Sequence, residues 1–155
     1  MDEVTGNPRL AARILLFDAA NRLLLMKARH PLEHFFWIAP GGGLEPNETF
    51  EAAAQRELLE ETGQSPLLGP CVWTRRHVYE WNGRRYDQAE RFFIARTAST
   101  ALEPTSADSY IVGHRWWSLV EITASTEIFA PRRLASFLSP LLSGDIPREP
   151  IDCGV

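Results

Sequence analysis

Lysine is almost missing from this chain: of 16 basic side chains only Lys27 is a lysine, and all the others are arginines. Cysteine is scarce as well. Cys71 and Cys153 cannot build the disulfide framework on which small secreted folds rely, and Cys153 is expected in a C-terminal tail. No uncharged apolar run approaches the ~18 residues of a membrane span. Met1-Asp2-Glu3 is acidic and lacks the basic-then-apolar run of a secretory leader. A cytoplasmic setting with no membrane partner is therefore expected. Positive charge is not in surplus either, since 16 basic against 20 acidic residues leave a formal net charge of −4. That excludes a general nucleic-acid-coating role, which depends on excess positive charge.

What is present is an ordinary globular composition. With 155 residues, 45% hydrophobic and 10% aromatic, the chain can fill one core, and wholesale disorder is excluded. The arginine bias has two readings. GC-rich codons enrich arginine everywhere, and arginine is also the better fork for phosphate oxygens.

Short apolar runs at 9–17 and 22–26, parted by Asp18-Ala19-Ala20-Asn21, predict a hairpin of two largely buried strands. Residues 29–47 predict a loop with a short strand at Phe35-Phe36-Trp37. Residues 48–62 contain no Gly or Pro and are rich in Ala, Leu and Glu, which predicts a helix with Asn47 as N-cap, Glu48 in the first turn and Gly63 as its stop. Asn82-Gly83 between 71–81 and 84–96 is a strong hairpin signal. Polar residues 98–108 predict a loop, 114–117 a strand, and Pro131 the opening of a helix through Leu142 closed by Gly144. Strands mixed with two or three helices indicate an α/β or α+β fold around a mixed sheet, in a single domain over 1–155.

The richest segment is GGGLEPNETFEAAAQRELLEETGQ, residues 41–64. Glu57, Glu60 and Glu61 are spaced i, i+3 and i+4, so they share one helix face and repel one another. Glu57 and Glu61 also fall among Phe50, Ala53 and Ala54, on the side that otherwise looks packed. Carboxylates there are costly unless a cation joins them, and a hard divalent cation takes such oxygen ligands. Arg56 can reach back to Glu48 or hold a carboxylate in place. A solvated acidic helix end is the plainer reading of three nearby glutamates.

The surroundings favour the metal. The segment resembles the Nudix hydrolase signature, G-x5-E-x7-R-E-U-x-E-E-x-G-U with U a bulky aliphatic. Gly42, Glu48, Arg56, Glu57, Leu58, Glu60, Glu61 and Gly63 match within the box at 42–64. Gln64 departs from it at the last aliphatic position, a packing site just past the helix.

The resemblance implies an α/β/α sandwich with a mixed sheet between helices. It also implies hydrolysis of a diphosphate bond in a small nucleotide-type substrate, by attack of water on phosphorus with Mg2+ or Mn2+. It makes Glu57, Glu60 and Glu61 metal ligands with the Gly41 carbonyl as a further one, Glu57 a candidate base, and Arg56 the group that orients them. No nucleic-acid polymer is expected as partner, and a homodimer is compatible with the family. A Nudix-fold module that binds a nucleotide without hydrolysing it is the alternative.

Members often add a carboxylate from outside the box. A two-residue turn at Asn82-Gly83 pairs Trp81 with Arg84, Tyr79 with Tyr86, His77 with Gln88, Arg75 with Glu90 and Trp73 with Phe92, all on one face. Glu90 is the expected extra catalytic carboxylate, with a simple Arg75–Glu90 salt bridge as the plainer reading. His77, Arg75 and Tyr79 on that face are the expected substrate contacts. Arg29, Arg76, Arg84 and Arg91 are further phosphate-contact candidates, and Phe35, Phe36, Trp37, Tyr86 and Trp116 further base-stacking ones. His30, His34 and His114 are expected simply at the surface.

Overall fold

The computed structural model describes residues 8–155, so the acidic start Met1-Asp2-Glu3 lies outside the described residues. Its first strand, β1 (Arg9–Phe17), is buried on both faces from Ala11 onward, which is why it reads as a continuous apolar run and not as an alternating one. One edge of β1 pairs in parallel with β6 (Arg84–Arg96) along its whole length. The other edge is shared. β2 (Leu23–Arg29) meets β1 only at Phe17↔Leu23, and β4 (Gly41–Gly43) takes the stretch from Ala11 to Arg13.

The predicted first hairpin is thus correct as a turn but not as a ladder. The buried Asp18 carboxylate closes the turn by accepting from the N–H groups of Ala20 and Arg22 and from Arg22 Nε. β2 then diverges to pair with β3 (Phe35–Ile38) and β7 (Ile111–Trp117). The glycines expected in a loop are instead a short strand inserted where β1 and β2 part. β5 (Leu68–Trp81) pairs with β6 in the register expected from Asn82-Gly83, whose φ values of 52° and 74° suit a tight hairpin turn. The two-residue β8 (Phe129–Ala130) and β9 (Ile151–Asp152) complete the order β8-β3-β2-β1-β6-β5-β9.

Helices cover both faces. α1 (Phe50–Thr62) packs Ala53, Ala54 and Leu58 on Ala12, Ile14, Leu16, Leu24 and Phe93. On the other face α2 (Leu119–Ala124) and α3 (Leu134–Leu142) pack Ile122, Leu134, Leu138 and Leu141 on Leu15, Phe17, Trp73, Phe92 and Trp117. This is an α/β fold with a mixed sheet between helices. Among the described residues no helix is long and apolar enough to cross a membrane.

The expected elements carry five corrections. Thr49, not Asn47, caps α1, its hydroxyl accepting from Ala52 N–H. Glu48 N–H donates to the Glu45 carbonyl around Pro46 and Asn47, the latter at φ 63°, which is type II turn geometry. Glu48 consequently stays outside the helix, free to bind elsewhere. α3 begins three residues after Pro131. α2 was not expected, although Ser118 and Glu121 form a capping box that its Ser-x-x-Glu spacing announces. Cys153 is not in a loose tail: it is buried beside β9, and its N–H donates to the Thr74 carbonyl.

Candidate active site

The site begins with the insertion of β4 beside β1. Gly41 adopts φ 148°, and a Cβ there would run into the Ala12 carbonyl oxygen. Its N–H donates to Glu61 Oε2 at 2.9 Å. A Cβ on Gly42 would stand 2.6 Å from Glu57 Oε1. Glycine at 41 and 42 is therefore what allows a backbone strand to lie directly against the carboxylates of α1.

Arg56 organises the outer side of this cluster. Its Nε and Nη2 donate to the two Glu48 oxygens at 2.8 and 2.9 Å, and Nη2 also reaches the Gly43 carbonyl at 3.1 Å. Nη1 donates to Glu57 at 3.0 Å and approaches Glu60 at 3.5 Å. Both sequence expectations for Arg56 are realised together, because Glu48 outside the helix serves as its anchor.

The three glutamates differ in environment. Glu60 is the most exposed and Glu57 is half-buried. Glu61 is 4% exposed. Burial, opposed by Arg56 and reinforced by Glu60 and Asp108, raises the Glu57 carboxyl above its ordinary value. Burial also pushes Glu61 up to about 8; Arg13 and the Gly41 N–H oppose that rise, while Glu57 and Asp108 add to it.

A folded-state value above the ordinary 4.5 means that the native protein holds the Glu61 proton more tightly than the unfolded chain does. The associated stability is fully present below pH 4.5 and is lost as pH rises through about 8. Without divalent cations the unfolding midpoint is expected to fall across that window, and millimolar Mg2+ to flatten the fall. Calorimetry with and without chelator checks this; a flat metal-free profile would show that Glu61 carries no such strain.

Asp108 was missed by the sequence reading, which placed it at the end of an undistinguished loop. The loop is tied to the C-terminal end of α1: Thr105 and Ser106 N–H donate to the Glu60 carbonyl and Glu103 N–H to that of Thr62. Gln64, the departure from the signature, donates to the Ser99 and Ala101 carbonyls at 2.8 and 3.3 Å. It trades aliphatic packing for a tether on the same loop. Asp108 is thereby held near enough for its charge to act on Glu57, Glu61 and Tyr110.

Glu90 sits differently from expectation. Its expected pairings across the hairpin are present, but its face is the one that packs on α2 and α3 through Phe92, opposite the α1 face of Phe93. It is 2% exposed, with Oε2 accepting from Arg13 Nε at 2.7 Å and from Gln88 at 3.0 Å, and Oε1 accepting from Arg75 Nη1 at 2.7 Å. The two guanidiniums overcome the burial penalty and hold the carboxyl down at about 2. Glu90 is thus the centre of a buried ion-pair cluster. The plainer reading of Arg75–Glu90 is present, with Arg13 as an unforeseen second partner.

A cleft of about 700 Å3 opens over this face. Arg75, His77 and Tyr79, the expected substrate contacts, line it together with Arg9, Arg13 and Arg132, which the sequence did not single out. Burial, with help from Arg75, lowers the His77 pKa below its ordinary value. The other proposed arginines lie elsewhere. Arg76 pairs with Asp87 outside the cleft at 2.6 Å, Arg91 covers Phe50 at 4.4 Å, Arg84 lies over Tyr86 at 5.5 Å and Arg29 over Phe35 at 5.6 Å.

Of the aromatic candidates, Phe36, Tyr79 and Tyr86 line the cleft, joined by Trp81 and Tyr110. Trp37 is core, and Trp116 packs toward α1. His30 and His34, expected merely at the surface, stack at 4.4 Å on the cleft rim. His114 is exposed and lies outside the cleft, as expected. The α1 glutamates do not line the cleft. They adjoin it through Arg13, which carries both the Glu90 and the Glu61 interactions.

Among the described residues no three acidic, histidine or cysteine side chains converge closely enough to enclose an ion alone. The cluster nonetheless suits a hard divalent cation, which usually takes one or two carboxylates and leaves its remaining positions to carbonyls, water or phosphate. The fit rests on buried Glu61 crowded by two further carboxylates, an arrangement that a cation relieves.

Comparison with known proteins agrees with this architecture. Residues 7–138 match the model of the NUDIX domain. A mouse diphosphoinositol polyphosphate phosphohydrolase 3-alpha is 31% identical over 127 residues, covering 81% of this chain and 71% of its own. An RNA pyrophosphohydrolase of Erythrobacter litoralis (strain HTCC2594) is 34% identical over 89 residues, covering 50% of this chain and 51% of its own. The crystal structure of a MutT protein from Methanosarcina mazei Go1 superposes with a TM-score of 0.68 at 16% identity, over 92% of this chain and 99% of that one.

Proposed function

The chain belongs to the NUDIX hydrolase family, and from that premise we propose that it hydrolyses a diphosphate bond in a small nucleotide-type substrate with the help of Mg2+ or Mn2+. The observation that carries this reading is the cluster of Glu57 and buried Glu61 against Gly41 and Gly42, tethered by Arg56. Residues 1–155 act in it as one domain, in the cytoplasm.

Glu57, Glu61 and the Gly41 carbonyl would hold the cation, with Glu60 on the solvent side. When bound, the cation supplies neutralisation of the phosphate oxygens and activation of water. The remaining work falls to the chain. Arg56 keeps Glu57 in one orientation through a guanidinium already fixed on Glu48. Glu57, held in place by Arg56, takes the proton of the attacking water. Asp108 supplies the additional carboxylate once assigned to Glu90.

Tyr79, Tyr86, Trp81 and Phe36 give the cleft π-faces for a base, which favours a nucleotide over an inositol polyphosphate. A module that binds without hydrolysis does not need the full carboxylate set with its arginine tether, and both are in place.

The test is a panel of dinucleoside polyphosphates, nucleotide sugars, ADP-ribose, nucleoside triphosphates, a diphosphoinositol polyphosphate and 5′-triphosphorylated RNA, with products read by chromatography. At least one nucleotide-type compound is expected to turn over with Mg2+ or Mn2+. Activity should fall at least about a hundredfold in excess chelator and return when the cation is restored. No turnover on any compound, or turnover indifferent to chelator, overturns the reading.

A further inference from the structure

Two buried guanidiniums meet one buried carboxylate beside the glutamate cluster. Arg13 and Arg75 are each 6% exposed and both donate to Glu90. Arg13 is further fixed by the Ala39 carbonyl at 3.3 Å, and Arg75 by the Gly154 carbonyl at 2.9 Å, delivered by the docked β9 segment. Arg9 holds Gln88, which itself donates to Glu90. These contacts use Nε and Nη1 of both Arg13 and Arg75. Among the described residues neither Nη2 donates to the protein, and neither is an enclosed unpaired atom, so both keep donors open to the cleft they line.

The charges facing this point come from several elements. Arg9 and Arg13 stand on β1, Arg75 on β5, and Arg132 on the segment before α3. Against them the cleft wall sets Glu80 and Glu90, and Glu61 acts on Arg13 from the α1 side. His30, His34 and His77 are the other titratable groups of the wall, with the tyrosines. Guanidiniums therefore outnumber carboxylates on the wall, and the least exposed of them are held in fixed orientations. A buried positive charge in excess of its partner is costly unless an anion completes it.

We propose that Arg13 and Arg75, oriented by Glu90, form a second anion subsite that takes a phosphate of the substrate additional to the diphosphate being cleaved. This rests on the hydrolase reading and narrows it: the substrate is a nucleotide carrying three or more phosphates, not a nucleotide sugar with two. Glu90 is a positioning residue. It aims the two forks, and the forks touch the substrate.

The probe is inorganic tripolyphosphate, titrated calorimetrically into the full chain with chelator present, so that hydrolysis plays no part. The wild-type chain is expected to bind it at least tenfold more tightly than sulfate, and to show shifted Arg13 and Arg75 side-chain resonances in 15N spectra. E90Q separates positioning from bulk charge. Removing a negative charge strengthens binding if only net charge matters, whereas loss of aim weakens it, here by tenfold or more.

R75K keeps the charge and loses the fork. With Mg2+ it is expected to raise KM for a nucleoside triphosphate or dinucleoside tetraphosphate about tenfold. Wild-type protein that ignores tripolyphosphate, or folded E90Q that binds it more tightly, overturns the subsite. The wild-type titration and spectra decide the matter even if a variant fails to fold. Binding of tripolyphosphate without turnover of any substrate leaves the subsite standing and removes only the hydrolase reading. Turnover without such binding does the reverse.

Discussion

Glu57→Gln and Glu61→Gln are each expected to lower kcat by about a thousandfold or more on whichever substrate turns over, with the fold retained. Each replacement keeps volume and removes a negative charge from the cluster against Gly41 and Gly42. Loss of one well-placed electrostatic group at a reacting phosphate costs on the order of 10²–10³ in rate. Loss of a cation ligand that also manages the water's proton compounds that cost. The two variants should part in stability. Glu61 is buried and crowded, so its neutral amide relieves repulsion above pH 4.5, where the native carboxyl is strained up to about 8. Glu61→Gln is therefore expected to melt higher than wild type in metal-free buffer while being inactive. Asp108→Asn, at the edge of the same cluster, should lose less, roughly tenfold to a hundredfold. Steady-state kinetics on the purified variants decide this, and wild-type turnover in both glutamate variants would remove the cluster from the chemistry.

Gly41→Ala is expected to damage the protein through its fold. The added methyl group would meet the Ala12 carbonyl oxygen and the Arg13 Cα, both backbone atoms of the central strand, at a φ of 148° that L side chains rarely adopt. Neither can move without disturbing β1, which is paired on its other edge with β6 throughout. A cost of roughly 3–5 kcal/mol is expected from strain of this kind. For a chain of this size that lowers the melting temperature by about 10 °C or more. Gly83→Ala is the control, because nothing lies within 4 Å of a Cβ there; only its φ of 74° opposes the substitution, and a loss of about 1 kcal/mol is expected. Equal melting points for Gly41→Ala and wild type would show that β4 does not lie against β1 as described.

Both outcomes trace to one short segment, and it shows where sequence reading succeeds and where it stops. The spacing of Arg56, Glu57, Glu60 and Glu61 is local chemistry written along one helix, where i, i+3 and i+4 positions must share a face whatever surrounds them. The hairpin at Asn82-Gly83 is equally local: a two-residue turn dictates the register, and with it the shared face of Arg75, His77, Tyr79, Gln88 and Glu90. Helical and turn geometry propagate from few residues, so these parts were legible without coordinates.

Which side of the sheet that face meets is a tertiary matter. Period-two alternation tells which residues travel together but not what lies opposite them. The grouping of Glu90 with Arg75 was legible, but which layer that face meets was not, because the decisive facts are the parallel pairing of β6 with β1 and the packing of α1 on the other face. Arg13 hid in an apolar run, and nothing local marks one arginine in a buried strand as the partner of a carboxylate 77 positions away. Asp108 was hidden for a related reason, its loop being tied down by the carbonyls left open at the end of α1 and by the Gln64 side chain.

By itself, then, the sequence determined the carboxylate helix, its arginine tether, the hairpin register and the α/β class, all consequences of short-range geometry. Only the tertiary structure decided that β1 and β2 part to admit Gly41–Gly43, that the loop of Asp108 docks on the end of α1, and that Glu90 pairs with two arginines. Those are contacts between segments far apart in the chain, chosen by which faces the closing sheet buries together.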